Sequence, residues 1–167
     1  MIVLGVDPGA ATTGYGVVAR AGDGAVSLLE CGVVRTDAHT PLASRLRQIY
    51  DGLGDVLTRH RVDVMAVEGV FYAKNARTSI ILGHARGAVL LAATLRELPV
   101  FEYAPAEIKN AVTGTGRATK EQIQFMVQRL LRLRTPPAPA DAADGVAVAL
   151  CHCSGGVVGA RLRAVAR

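Results

Sequence analysis

Apolar and polar positions along the chain change their period several times, and each change marks an element. Residues 2–6 are a continuous apolar run that stops at Asp7-Pro8-Gly9, as a buried strand closed by a turn would. Residues 14–20 and 25–35 are two more β-rich runs flanking Gly22-Asp23-Gly24, which predicts a hairpin and, with the first run, an antiparallel meander. In residues 41–60 the apolar positions Leu42, Leu46, Ile49, Leu53 and Leu57 fall three or four apart, the spacing of an amphipathic helix. Residues 62–67 read as a fourth strand ending at Glu68-Gly69. Residues 77–97 read as a helix whose centre is apolar on most faces, so it is expected to be largely buried. Residues 99–103 make a fifth strand.

Beyond Pro105 the pattern is helical. A short helix is expected over 105–112, then a flexible Gly114-Thr115-Gly116 loop, then a helix over 119–132 with Thr119 as its cap. Pro136, Pro137 and Pro139 interrupt, and an Ala-rich helix is expected over 140–153. Three strands, helix, strand, helix, strand and further helices imply an α/β fold: a five-stranded mixed sheet with helices on both faces. In such a sheet a ligand is expected near the carboxyl ends of the strands.

The 167 residues suit one domain, here 1–154, and no linker divides them. Residues 155–167, with Arg161, Arg163 and Arg167, are expected to form a basic, mobile tail. The net charge is +5, carried mostly by arginine, which fits a polyanionic partner but also simple solubility. Three cysteines, Cys31, Cys151 and Cys153, do not make a disulfide framework and fit a reducing compartment. No targeting segment and no membrane-length apolar run is seen, so a cytoplasmic location without membrane contact is expected.

Four acids stand out. Asp7 and Glu68 end strands expected to run parallel near the sheet centre, so both point to one edge. Asp141 and Asp144 lie one turn apart on one face of the last helix. Two like charges ~4 Å apart repel by roughly 4 kcal/mol at an effective dielectric near 20, and divalent cations reverse that sign. Hard oxygen ligands suit Mg²⁺ or Mn²⁺, and a pair of such ions clamps the attacking and leaving oxygens of a phosphodiester. Taken alone, Asp7 reads as a turn residue and Asp141 as a helix N-terminal residue that favours the dipole. Glu68 and Asp144 have no such structural explanation.

Gly5-Val6-Asp7-Pro8-Gly9 with Thr13-Gly14-Tyr15-Gly16 resembles the opening of bacterial RuvC Holliday junction resolvases. The segments 68–75, 83–87, 105–109, 114–120 and 141–145 resemble later motifs of that family, in family order, over roughly residues 1–153. The resemblance implies a ribonuclease H-like fold and a homodimer that binds four-way junction DNA and nicks two opposing strands symmetrically, in recombination and repair. It implies Asp7, Glu68, Asp141 and Asp144 as the acids of the site, with two Mg²⁺ or Mn²⁺ ions per site. It implies Lys109 and Lys120 beside the scissile phosphate, Phe71 stacked on junction bases, and a branch-migration helicase complex as partner. Some relatives carry His at one C-terminal acidic position, where this chain keeps Asp at both.

The residues agree with those roles. Lys109 and Lys120 are two of three lysines and start helical segments beside a glycine loop, where phosphate is readily met. Phe71 and Tyr72 fall in a loop expected beside the site; Tyr72 reads equally as a core anchor. Asn75 stands in the same motif. Lys74, Arg77 and Arg86 read equally as phosphate contacts and as helix-start or helix-face charges.

Other patterns are set aside. Residues 114–120 lack the ending of a phosphate loop and follow a helix. Cys151-His152-Cys153 point ~100° apart on a helix, so core packing is the better reading. His84 reads as a helix residue near a close contact. Gly83 and Gly87, four apart, would let another helix approach, either across a dimer interface or within one subunit. An actin- or hexokinase-like ATPase shares the first phosphate-loop pattern but needs a second similar half. A module that binds branched DNA without cutting it sits poorly with four acids in one place.

Overall fold

The computed structural model describes residues 1–69 and 75–155. The first three strands are β1 (Ile2–Asp7), β2 (Thr12–Arg20) and β3 (Val26–Arg35), followed by helix α1 (Leu42–Arg59) and strand β4 (Val64–Glu68). Helix α2 (Ala76–Thr94), strand β5 (Val100–Tyr103), and helices α3 (Pro105–Thr113), α4 (Lys120–Leu130) and α5 (Ala140–Cys153) complete it. The ten expected elements all form, most with ends shifted by a residue or two. The largest shift comes where the chain turns through a left-handed residue: α2 ends at Thr94, three residues early, before Glu97 (φ 57°), and α4 likewise ends before the left-handed Arg132 (φ 52°).

The sheet order is β3-β2-β1-β4-β5. β1, β2 and β3 form the expected antiparallel meander, while β1–β4 and β4–β5 are parallel. Alternation along each central strand divides the core in two. Leu4, Val6, Val17, Met65 and Val67 face α1 and α2. Val3, Val18, Val64, Ala66 and Tyr103 face α3, α4 and α5. Among the described residues, no helix is long and apolar enough to cross a membrane.

Glu30 ties the meander to α1. It accepts from the Tyr15 hydroxyl at 2.8 Å, from Arg59 at 2.5 Å and pairs with His60 at 2.7 Å. Arg59 foremost among these donors holds its carboxyl down at about 2. The β1–β2 turn is pinned as well: Arg45 donates to the Ala10 carbonyl at 2.6 Å and Thr13 to the Gly9 carbonyl at 2.8 Å.

α5 lies unusually close to the sheet. A methyl group on Gly5 would meet the Ala149 nitrogen at 2.3 Å, one on Gly16 the Val146 Cα at 2.6 Å, and one on Gly145 the Tyr15 Cα at 2.5 Å. Glycine in a strand interior is the usual mark of such backbone approach. Cys151, His152 and Cys153 finish α5 inside the core, where His152 hydrogen-bonds the Tyr103 hydroxyl at 2.7 Å and packs on Phe101.

The expectation that α2 is largely buried is overturned. Only Ala85, Val89, Ala92 and Ala93 are buried on it, whereas Ile80 is 60% and Leu91 51% exposed. One stripe of the helix packs on α1 and the sheet; a second apolar stripe has nothing over it among the described residues. Gly83, Gly87 and His84 lie on that open side, where His84 pairs with the Ile80 carbonyl at 2.8 Å and no other helix among the described residues approaches the two glycines.

Substituting Gly145→Ala forces α5 off the β2 backbone and is expected to lower the unfolding free energy by about 1–3 kcal/mol in urea denaturation. Gly54→Ala in α1, whose added methyl meets only the tip of Arg96 at 3.5 Å, is expected to raise it by about 0.5–1 kcal/mol. Equal effects at the two positions would contradict the close-approach account.

Candidate active site

Asp7 and Glu68 are the last residues of two neighbouring parallel strands, one step past the register pair Val6–Val67. Because Val6 and Val67 face α1 and α2, alternation turns Asp7 and Glu68 to the opposite face, under α5. Helix α5 begins there. Its Asp141 carbonyl would lie 1.9 Å from a methyl group on Gly14, and Gly14 is the cross-strand partner of Asp7. Asp144, one turn on, points the same way and is 13% exposed, whereas Asp141 at the rim is 44% exposed.

Lys120 opens α4. Thr119 caps that helix as expected, accepting from the Gln122 amide at 3.3 Å while the Gln122 side chain accepts from the Thr119 amide at 2.9 Å. The cap aims the first turn of α4 at α5. The Lys120 ammonium donates to Asp144 at 2.9 Å and stands 3.8 Å from Asp141. The hydrogen bond to Asp144 raises the Lys120 pKa, so it stays charged. Lys109, on α3, is close enough to Glu68 to draw its pKa down in part.

The electrostatics show that the acids form one cluster. Burial, followed by repulsion from Asp144, pushes Asp7 up to about 6; Asp141 adds to the rise and Lys120 opposes it. Burial, then repulsion from Asp7 and Asp144, pushes Glu68 up to about 7. Asp7 therefore feels the charges of Asp144, Asp141 and Lys120, and Glu68 those of Asp7, Asp144, Lys109 and Lys120. Among the described residues no three acidic, His or Cys side chains yet converge tightly enough to hold a single ion. Lys120 stands against Asp144 and Asp141 where such convergence would occur. The donor set still fits hard divalent cations: every candidate donor is a carboxylate, all four are partly buried, and the two lysines do not balance the four negative charges.

The other sequence candidates fall outside this cluster or outside what can be placed. Phe71, Tyr72 and Lys74 lie outside the described residues, as does the tail from 156. Asn75 caps α2, its side chain accepting from the Arg77 amide at 2.8 Å. Arg77 is exposed in the first turn of α2. Arg86 is half-buried in an ion pair with Glu102 of β5, which settles it as a helix-to-sheet tie. The positioning residues Gly5, Gly14, Gly16 and Gly145 were not singled out from the sequence. Their signal was present, since Gly14 and Gly16 share one face of a β-rich run.

Residues 3–152 match the family model described as crossover junction endodeoxyribonuclease RuvC. A relative of that name from Pelotomaculum thermopropionicum is 50% identical over 152 residues, covering 91% of this chain and 92% of its own. The Thermus thermophilus RuvC structure superposes with a TM-score of 0.86 at 38% identity, covering 96% of this chain and 98% of the other. The T. thermophilus RuvC complex with a Holliday junction substrate gives 0.85 at 35% identity, covering 95% and 97%.

Crowded negative charge costs stability when no cation balances it. A carboxyl raised in the folded state favours folding at low pH, and that advantage fades as pH climbs from the unfolded value through about 6 for Asp7. In chelator, Asp7→Asn is therefore expected to gain roughly 1–3 kcal/mol over wild type above pH 7 and little below pH 4. Mn²⁺ should narrow the gap by stabilising wild type. Chemical denaturation across pH, with and without metal, measures it; a variant less stable than wild type at pH 8 in chelator contradicts the cluster.

Proposed function

The chain belongs to the RuvC family of crossover junction endodeoxyribonucleases, and from that premise we propose that Asp7, Glu68, Asp141 and Asp144 bind two Mg²⁺ or Mn²⁺ ions at the catalytic centre. It is an endonuclease that resolves Holliday junctions, on a ribonuclease H-like fold. The observation that supports the site assignment is that Asp7 and Glu68, on neighbouring strand ends of one sheet face, are both raised by burial and by the negative charge of Asp144.

Bound at these carboxylates, such cations supply the charge that activates water and stabilises the departing 3′ oxygen. The chain's own residues do the rest. The sheet edge and α5 hold the four acids in fixed relation, since β1, β4 and α5 are packed core elements. Lys120, kept charged by Asp144, stands at the open side of the cluster, where its ammonium meets the oxygens of the scissile phosphate. Lys109 adds a second positive charge beside Glu68. Phe71, Tyr72, Lys74, Asn75 and Arg77 follow Glu68 directly in sequence, which supports their meeting the junction centre, Phe71 by stacking on bases.

The working unit is a homodimer joined through α2. Ile80, Gly83, Gly87 and Leu91 recur at helical spacing on its open side and, with Leu46 and Tyr50 of α1, line an apolar groove of about 670 Å³. Nothing lies within 4 Å of a methyl group built on Gly83 or Gly87, so a second backbone has room to approach. A two-fold pair of this helix presents two acid clusters to a two-fold junction, the arrangement that paired nicks require.

With a synthetic four-way junction and Mn²⁺ or Mg²⁺, the protein is expected to nick two opposed strands and to leave a linear duplex uncut. Asp7→Asn is expected to slow cutting about a hundredfold or more while keeping junction affinity in metal-free buffer. Lys120→Ala is expected to slow cutting of the bound junction about tenfold. Parallel loss of binding and cutting in Asp7→Asn would refute the catalytic assignment. Leu91→Glu is expected to sediment as a monomer and to convert paired nicks into single ones; a variant that remains dimeric removes α2 from the interface.

A further inference from the structure

One stretch of the chain is strongly basic. Between Glu107 and Asp141 lie six basic residues (Lys109, Arg117, Lys120, Arg129, Arg132 and Arg134) and a single acid, Glu121, a balance of +5. The remaining sequence holds 13 of the 19 basic and 13 of the 14 acidic residues and is neutral. This local excess sits on α3, α4, the loop between them and the turn into α5, all on the face that carries the acid cluster.

Lys109 and Lys120 are accounted for at the cluster; the arginines are not. Arg117, Arg129, Arg132 and Arg134 are exposed, and among the described residues none has an acidic partner. Helix α4 starts at the acids and runs away from them. Arg129 is nine residues past Lys120, about 13 Å along the axis, a distance spanned by about four base pairs of duplex. Its guanidinium rests 5.5 Å from the ring centroid of Phe125, itself 55% exposed. That stacking holds the cation in place while leaving its donors outward.

Arg132 adds an independent observation. Its amide donates to the Arg129 carbonyl at 3.2 Å, and the Leu133 amide to the Gln128 carbonyl at 2.9 Å, the bonding of a Schellman turn. The residue at its hinge adopts φ 52°, where glycine is the usual occupant and a side chain is strained. The Gln128 side chain donates to the Arg134 carbonyl at 3.1 Å and fixes the next residues. A strained arginine on a rigid, exposed turn beside two further unpaired arginines points to a ligand that uses the charge.

We propose that the Arg129–Arg132–Arg134 end of α4 binds the phosphate backbone of one duplex arm, several base pairs outside the cut. The site rests on the reading of the chain as a junction nuclease and extends it from the junction centre to an arm. Phosphate contacts of this kind fix orientation without reading sequence.

The test uses the full chain carrying Asp7→Asn, in metal-free buffer, with a four-way junction of long arms titrated across salt. Each lost phosphate contact lowers the slope of log affinity against log salt by about 0.9. Arg129→Ala/Arg132→Gly/Arg134→Ala is expected to lower that slope by about 2–3 and low-salt affinity at least about tenfold. Arg132→Gly alone, which relieves the strained backbone, is expected to lower the slope by about one with no fall in thermal midpoint. Ethylating arm phosphates about four or more base pairs from the nick should weaken the parent protein's binding and not the triple variant's. An unchanged slope overturns the proposal and leaves the arginines to an anionic protein partner. Wild type with Mn²⁺ on the same junction checks the underlying reading separately: no nicking there defeats that reading, whereas nicking with an unchanged variant slope defeats only the arm site.

Discussion

Everything at the acid cluster depends on how near α5 comes to the sheet. Two strands carry Asp7 and Glu68, and a helix from the far end of the chain carries Asp141 and Asp144. They meet because Gly5, Gly14, Gly16 and Gly145 remove the side chains that would otherwise hold helix and strands apart. Packing a helix on a sheet through ordinary side chains sets them about 10 Å apart. Here backbone touches backbone, and the first turn of α5 drops to the level of the strand ends. The same approach buries nearly all of α5, so the element that completes the site is also a centre of the core.

That geometry concentrates negative charge where the surroundings screen it poorly. Burial raises the pKa of Asp7 and Glu68 more than any neighbour does, and the neighbours that raise it further are the other acids. Lys120 and Lys109 offset part of the repulsion, with Lys120 held directly on Asp144. In the proposed site the repulsion left in the folded chain is what bound divalent ions would offset. Such opposition between local stability and activity is common at catalytic sites.

The two surfaces away from the cluster differ in character, and each matches one half of the task. On the α1–α2 face an apolar stripe with two open glycines suits a second copy of the chain. On the α3–α5 face a run of basic residues is gathered into one band beside the acids. A junction has two-fold symmetry and a polyanionic surface, so an apolar face for pairing and a basic face for DNA are complementary requirements. The sheet separates them, so pairing through α2, as proposed, would leave both acid clusters uncovered.

Much of this was legible in the sequence. The ten elements followed from period-two and helical patterning, which local burial imposes on residue order. Glu68 was legible because nothing structural calls for an acid at the end of its apolar run, and the i, i+3 pair Asp141–Asp144 because helical spacing fixes a common face; Asp7, which alone reads as a turn residue, gained its meaning from standing with them. The openness of α2 was not legible: an apolar helix reads alike whether its second stripe meets its own chain or another's. Nor was the role of Arg86, whose pairing with Glu102 depends on a contact between α2 and β5 that no local pattern encodes. The sequence by itself determined which residues form strands and helices and which acids stand at their ends, because those properties depend on near neighbours. Only the tertiary structure decided that α5 reaches the β1–β4 edge, that Lys120 lands on Asp144, and that Arg117, Arg129, Arg132 and Arg134, on and beside α4, have no acidic partner among the described residues. Those outcomes depend on how closely distant backbones approach, and a few glycines far apart in the chain control that distance.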